Sequence, residues 1–469
     1  MLGELWIWDD VEIEGISDNS QMIKQGYIFI CVKNDADGLA YSEEAVEKGA
    51  VAVVSECRPE LKVPVIQVED IRFTEAILAK RFYFPGEKCF KLIGVTGTNG
   101  KTTVTHLIRD ILEACGKSVG MIGTNGIFIK GERKDLYTNT PTTPNSLELW
   151  QIFGAMKGVE YIVMEVSSHA LSLKRVMGCE FDVGVFTNLT ADHLDFHVTM
   201  EEYKKAKEKL FLLSKISVIN IDDPTGAEIY SNVKTEKLSV GFNDSDFSVR
   251  ALSMKDYSSR FGMEYRENVE WIEFHLPGRF NVYNALSSVG ACVAAGIDFK
   301  DAVSGLSLSE PIKGRMERLP IDCDFSVIID YAHSPDGLEK LIHTAKGFAR
   351  GRVITLFGCG GDRDKTKRTV MGEISGRLSD YTIITSDNPR TESPFLIIGD
   401  IYEGIKKTKG EYCIVPEREM AIYHALSMAG TGDVILLAGK GHEDYQIIGK
   451  EKVHFDEREI VSKFFCDRG

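Results

Sequence analysis

The segment Gly97-Thr98-Asn99-Gly100-Lys101-Thr102-Thr103 combines glycines, hydroxyls and one lysine in the order a polyphosphate site needs. Glycines let the backbone approach an anion, Lys101 can neutralise terminal phosphate charge, and the Thr102 hydroxyl can hold Mg²⁺. A general P-loop carries a glycine five residues before Gly100; this chain has Val95 there, so the cradle is a shortened one beginning at Gly97. Farther on, Glu165-Val166-Ser167-Ser168-His169 sets a carboxylate directly behind the apolar run Tyr161-Ile162-Val163-Met164, a position suited to Mg²⁺ beside a triphosphate. The stretch Thr187 to His197 crowds Asp192, His193, Asp195 and His197 together. Its spacing fits no zinc template such as HExxH, which favours a hard metal or a phosphate. Lys207 lies on a helix-period segment with Tyr203, Ala206, Leu210 and Phe211 on one side, and on pattern alone it reads as one of several solvated helix lysines. Asn281 and Asn284 lead into a helix over 285–295, where they can read a purine edge or cap the helix.

These groups need strands that end where the polar residues begin. Leu92, Ile93 and Val95 form a short strand, and Val104, Leu107, Ile108, Ile111 and Leu112 recur at helical spacing until Gly116. The cradle is therefore strand, loop and helix N-terminus, where unpaired N–H groups and the helix dipole favour an anion. Residues 1–88 alternate strands (27–32, 50–54, 63–68) with a helix over 42–48, and Phe84-Pro85-Gly86-Glu87 marks a linker. From 89 to 312 strands and helices alternate, with the Thr140-Pro141-Thr142-Thr143-Pro144 loop and a β-rich excursion over 233–275. From 313 to 469, four strands deliver Asp330 to Gly337, Gly358 to Asp364, Thr385 to Arg390 and Ala438 to Glu443. In a parallel sheet these tips share one edge, so Arg363, Arg390 and Glu443 are available together for a zwitterionic ligand.

A length of 469 residues suits about three domains. Hydrophobic residues at 43% and charged residues at 27% exclude a disordered or fibrous chain. A formal net charge of −15 argues against a nucleic acid partner. The segment Met1 to Asp10 has acidic residues where a signal peptide needs basic ones, and no apolar run approaches membrane-spanning length. A cytoplasmic protein without membrane insertion, acting as a monomer, is expected. The 10 cysteines form no CxxC pair, so free thiols are expected rather than disulfides or zinc.

Together these motifs resemble the Mur ligases, the ATP-dependent amino acid ligases of peptidoglycan precursor synthesis, over almost the whole chain. The resemblance rests on Thr96 to Thr103 as that family's shortened P-loop, Glu165 to His169, Thr187-Asn188-Leu189 with Asp192-His193-Leu194-Asp195, Tyr203 to Phe211, and Asp330-Tyr331-Ala332-His333, in that order. Asp387-Asn388-Pro389-Arg390 is similar to the signature of members that add meso-diaminopimelate to UDP-N-acetylmuramoyl-L-alanyl-D-glutamate.

The resemblance implies an α/β fold of three domains. These are a small N-terminal α/β uridine-binding domain (1–88), a central P-loop-type ATPase domain with a mostly parallel sheet (89–312) and a C-terminal Rossmann-like α/β domain (313–469). It implies ATP and Mg²⁺ as cofactors. Gly97, Thr98, Asn99, Gly100, Lys101, Thr102 and Thr103 would hold phosphates, with Asn281, Arg315 and Asp330 around adenine, phosphates and ribose. Thr102 and Glu165 would touch one Mg²⁺; His193 and an N-carbamylated Lys207 would hold a second, and Lys101, His193 and Lys207 would be catalytic. Ser20, Thr142, Thr143, Ser167 and Arg175 would bind the UDP-N-acetylmuramoyl-dipeptide. Arg363, Asp387, Asn388, Pro389, Arg390, Gly439 and Glu443 would bind the amino acid. The alternatives are lysine or another diamino acid such as lanthionine as acceptor and, from a different class, a nucleotide-binding switch that does not ligate. Asn19-Ser20-Gln21 stands where the family usually has Asp-Ser-Arg, and Leu39 where a histidine is common.

Overall fold

The computed structural model describes residues 12–33, 37–136, 138, 140, 142–255 and 257–466. The Met1 to Asp10 segment and Pro141 of the proline-flanked loop lie outside them. The chain forms two compact bodies, one of residues up to Leu92 with Ser118–Phe181, the other of Ile93–Lys117 with Asp182 onward.

The first body opens with a parallel sheet of Gly15–Ser17, Tyr27–Ile30, Ala50–Ser55 and Val65–Gln67, in that spatial order. Phe29, Ile30, Val53 and Val54 are wholly buried, the mark of parallel strands covered on both faces. The helix Ile71–Tyr83 starts where the Asp70 carboxylate accepts the Phe73 N–H at 3.0 Å and ends with Lys80 and Arg81 against its dipole. It packs on Ser146–Ala155, which begins in a capping box of Asn145 and Glu148. Val119–Gly123 runs parallel to the fully buried Tyr161–Glu165 and antiparallel to Gly126–Ile129.

In the second body residues 93–96 of the Lys91–Thr96 strand pair in parallel with residues 183–186, Val183 opposite Ile93 and Phe186 opposite Thr96. Ser214–Asn220 and Glu236–Val240 continue the sheet, and Phe247–Lys255, Ser258–Tyr265 and Asn268–Phe274 extend it as an antiparallel meander. This is the β-rich excursion of the sequence. The Lys101–Ala114 helix buries Val104, Leu107, Ile108, Ile111 and Leu112 completely and packs on Arg279–Ala294. The latter begins six residues before the 285 start that apolar periodicity predicts. Its first turns carry the buried Asn281 and Asn284, whose amide N–H groups find local acceptors, Asn281 donating to Pro277 O just before the helix at 2.8 Å and Asn284 to Asn281 Oδ1 at 3.1 Å, so polar residues extend the helix.

A second sheet of this body runs Glu317–Arg318, Ser326–Asp330, Val434–Ala438, Val353–Phe357, Tyr381–Ile384, Tyr412–Ile414, parallel except for its first strand. Val327, Ile329, Ile354, Leu356, Ile383, Ile435 and Leu437 form its core. Asp330 and Phe357 both stand opposite Ala438, and Phe357 opposite Ile384, so the four polar loops leave from one edge as expected. All 10 cysteines are free thiols. Among the described residues no helix is long and apolar enough to cross a membrane.

Candidate active site

Two glycines shape the phosphate loop by sparing side chains. A Cβ on Gly97, whose φ is +151°, would stand 1.9 Å from Thr187 Oγ1; one on Gly100, at φ +89°, would stand 2.5 Å from Asn284 Oδ1. Gly100 is the N-cap of the Lys101–Ala114 helix and brings no side-chain cap, which leaves the first-turn N–H groups to an anion. Lys101 Nζ donates to the Gly97 and Thr98 carbonyls, both at 2.9 Å. Thr187 Oγ1 donates to Asn99 O at 2.6 Å, and Asn188 grips the same residue from both sides, accepting the Asn99 N–H at 3.0 Å and donating to its carbonyl at 3.1 Å. On the C-terminal sheet's side, Arg315 Nη2 donates to Thr102 Oγ1 at 2.8 Å and Asn99 Nδ2 to Asp336 Oδ2 at 2.8 Å.

Beneath this loop lies Lys207, only 1% exposed, contrary to the solvated face that pattern alone suggests. Its Nζ donates to Gly97 O at 2.8 Å and lies 4.4 Å from the Tyr203 ring centroid. Burial, with the Lys101 charge added, holds its pKa well below the ordinary lysine value. Tyr203 pairs its hydroxyl with Thr98 Oγ1 at 3.2 Å. His193 takes a left-handed conformation, φ +53°, at the start of Leu194–His197, and its ring meets Tyr203 edge-on at 6.1 Å. Burial alone would raise the neighbouring Asp192 carboxyl, but His333, His193 and Lys367 bring it down to about 2. Asn281 is buried and bonded to Pro277. Burial raises the Asp330 carboxyl, which accepts the N–H groups of Met316 and Ala332, both at 2.8 Å.

The acceptor-type residues also converge. Arg390 Nη1 donates to Gly361 O at 2.7 Å, and Gly361 N to Asn388 O at 2.9 Å, which ties the Arg363 loop to the Asp387–Arg390 loop, with Pro389 and its carbonyl packed against Gly361. Arg363 is exposed. Asn388 Nδ2 donates to Glu443 Oε2 at 2.9 Å, and Gly439 lies against Asp387, where a Cβ would stand 2.6 Å from Oδ2. Below, the buried Arg368 grips Glu392, just past Arg390, with Nη2 to Oε1 at 2.9 Å, and Arg418 Nη2 reaches Ala438 O at 2.9 Å while pairing with Glu457 at 2.8 Å.

In the first body, Thr143 Oγ1 donates to Glu165 O at 2.9 Å and accepts the Ser167 N–H at 3.0 Å, and Arg175 Nη1 donates to Thr143 O at 3.2 Å. Thr142 pairs with Thr124, whose N–H the Glu165 carboxylate accepts at 2.8 Å. Four of the five residues expected to bind the dipeptide are thus brought together with Glu165. Ser20 instead donates to Glu44 Oε2 at 2.8 Å.

Sequence reasoning assigned no role to Asn188, Asp336, Lys440, Arg368, Glu392, Arg418 or Glu457. Asn188 and Lys440 had a signal, since each sits in a polar loop at the carboxyl end of a strand. Arg418 and Glu457, 39 residues apart, had none.

Residues 95–292 match the Mur ligase middle domain and residues 314–441 the Mur ligase, glutamate ligase domain. The chain is 46% identical over 464 residues to UDP-N-acetylmuramoyl-L-alanyl-D-glutamate--2,6-diaminopimelate ligase 1 of Clostridium acetobutylicum, covering 97% of this chain and 95% of the relative. It is also 46% identical over 467 residues to the 2,6-diaminopimelate ligase of Caldanaerobacter subterraneus subsp. tengcongensis, covering 98% and 96%. A solved structure of UDP-N-acetylmuramoyl-L-alanyl-D-glutamate--2,6-diaminopimelate ligase superposes with a TM-score of 0.70 at 30% identity, covering 97% of this chain and 95% of that one. With the shortened phosphate loop, the strand-end motifs and this near full-length likeness in agreement, the chain belongs to the Mur ligase family.

Proposed function

We propose that this ligase joins an amine of meso-diaminopimelate to the D-glutamyl side-chain carboxylate of UDP-N-acetylmuramoyl-L-alanyl-D-glutamate, using ATP. The observation that carries the reading is the pairing, in one compact body, of an uncapped phosphate-loop helix with a strand edge that carries Arg390 and the bonded pair Asn388 and Glu443. The likeness to relatives named as 2,6-diaminopimelate ligases supports the acceptor.

The carboxylate takes a phosphoryl group from ATP to give an acyl phosphate. The amine attacks it, and the tetrahedral intermediate expels phosphate. Negative charge gathers on oxygen throughout, and Lys101 with the helix N–H groups is preorganised to meet it. The loop Gly97 to Thr103 takes the phosphates, with Arg315 beside them and Asn281 and Asp330 toward adenine and ribose. Mg²⁺, when bound, would offset phosphate charge; Thr102 and Glu165 are proposed donors to one ion, His193 and Lys207 to a second. A bare ammonium at Lys207 does not suit a cation, but its burial favours the neutral amine. That amine can add to CO₂ with loss of a proton, leaving an anionic carbamate oxygen as ligand. Ser20, Thr142, Thr143, Ser167 and Arg175 are proposed for the UDP-linked dipeptide, and Arg363, Asp387 to Arg390, Gly439 and Glu443 for the amino acid. We place domain boundaries at 1–88, 89–312 and 313–469, supported by the family matches at 95–292 and 314–441, and the enzyme in the cytoplasm as a monomer.

Mass spectrometry of the UDP-sugar after incubation with ATP, the UDP-dipeptide and meso-diaminopimelate tests the reading. A product one diaminopimelyl residue heavier is expected. Unchanged dipeptide with each diamino acid offered would favour the non-ligating switch.

A further inference from the structure

Lys440 is 0% exposed, in the turn between Gly439 and Glu443. A buried ammonium is costly unless its partners are fixed and complementary. Its Nζ donates to Asn388 Oδ1 at 3.1 Å and to Glu443 Oε2 at 3.2 Å, and it stands 3.8 Å from Asp387 Oδ1. The rings of Tyr445 and Phe455, both 5.9 Å away, flank it. One cation therefore contacts three residues of the acceptor edge.

This arrangement decides which way the Asn388 amide points. Oδ1 accepts from Lys440 Nζ and from the Ile447 N–H at 3.0 Å. A flipped amide would set its NH₂ group against two donors, so Nδ2 is committed to the side of Glu443, where it donates at 2.9 Å. Glu443 Oε2 in turn receives both Lys440 and Asn388, so the two contacts fall on one oxygen of the carboxylate. Burial raises the Glu443 carboxyl, and the Lys440 charge counteracts that rise. Burial likewise opposes ionisation of Asp387, and Lys440 heads the charges that keep its pKa low.

We infer that Lys440 is a positioning residue for acceptor selectivity: by orienting the Asn388 amide and pinning Glu443, it makes this edge read a carboxylate and an ammonium on the same distal carbon. The inference rests on the acceptor reading proposed above. An acceptor such as lysine, which has the ammonium without the carboxylate, leaves the second N–H of the oriented Asn388 amide, the one not given to Glu443, without the carboxylate it would meet.

The test uses the full-length Lys440→Met variant in steady-state assays with meso-diaminopimelate and with L-lysine. KM for meso-diaminopimelate should rise about tenfold or more, and its kcat/KM advantage over lysine should fall by a similar factor, as expected for a lost charged hydrogen bond. The loss should appear in acceptor KM more than in kcat, with KM for ATP and for the UDP-dipeptide held within about twofold. Unchanged acceptor KM and selectivity would overturn the inference, as would a common rise in all three KM values, the signature of a merely structural role. Lys440→Gln, which keeps a donor for Asn388 but no charge, serves if the methionine variant does not fold; it should show a smaller shift in the same direction, and wild-type selectivity in it would also overturn the inference. Failure of the wild-type chain to ligate any diamino acid would instead defeat the acceptor reading itself.

Discussion

Lys207 Nζ donates to the Gly97 carbonyl oxygen at 2.8 Å, fixing a buried lysine to the first residue of the phosphate loop. The contact joins the Met200–Leu212 helix to the glycine turn ahead of the Lys101–Ala114 helix.

If a carbamate at Lys207 supplies an anionic ligand there, Lys207→Ala should lower turnover about 10²-fold or more. Short carboxylates such as formate or acetate should restore part of it. Phosphate-release rates with and without added carboxylate measure this; near wild-type turnover in the unsupplemented variant would remove Lys207 from the machinery.

Asn188 satisfies both the N–H and the carbonyl of Asn99. Asn188→Ala strands the Asn99 N–H, while the carbonyl keeps the Thr187 hydroxyl, at a cost of about 1–3 kcal/mol. Calorimetric titration should show ATP affinity reduced about tenfold or more, since 1.4 kcal/mol is a factor of ten, with binding of the UDP-dipeptide unaffected.

Glu75 is buried at 4% exposure with no hydrogen-bond partner for Oε1. Burial first, and then the Asp18 charge, raise its pKa to about 8. The folded state thus holds a proton that the unfolded chain, with a carboxyl pKa near 4.3, releases. Between those values folding binds the extra proton, so the contribution of Glu75 to stability is fully present below about pH 4.3 and is lost at about 1.4 kcal/mol per pH unit as pH rises toward 8. Glu75→Gln should flatten that slope and stabilise the protein at pH 8; urea midpoints across pH 5–9 read both effects.

The pair Arg418–Glu457, 0% exposed on each side chain, supports the Ala438 carbonyl beneath the acceptor edge. Arg418→Met leaves a buried unpaired carboxylate and should cost about 3–5 kcal/mol. Arg418→Met combined with Glu457→Met should recover part of that loss in urea denaturation. A double variant no better than the single one would show that the carbonyl contact, rather than the charge, dominates.

The phosphate loop was legible because a short apolar strand and helix-period residues flank it, and the four C-terminal loops were legible because each follows a short apolar strand. Lys207 was not legible from pattern, since Lys204, Lys205 and Lys209 share its helix and only tertiary packing buries one of them. The early start of the Arg279–Ala294 helix was hidden because its first turns bury asparagines that bond to one another. Lys440 sits between two glycines and reads locally as an exposed turn, yet strand ends from three parts of the chain close over it.

The most direct measurement is phosphate release with ATP and UDP-N-acetylmuramoyl-L-alanyl-D-glutamate against a panel of meso-diaminopimelate, L-lysine, lanthionine and no amino acid. The account predicts release that depends on both co-substrates and is fastest with meso-diaminopimelate. Release that is indifferent to every diamino acid would contradict ligation, and a higher kcat/KM for lysine would contradict the acceptor assignment.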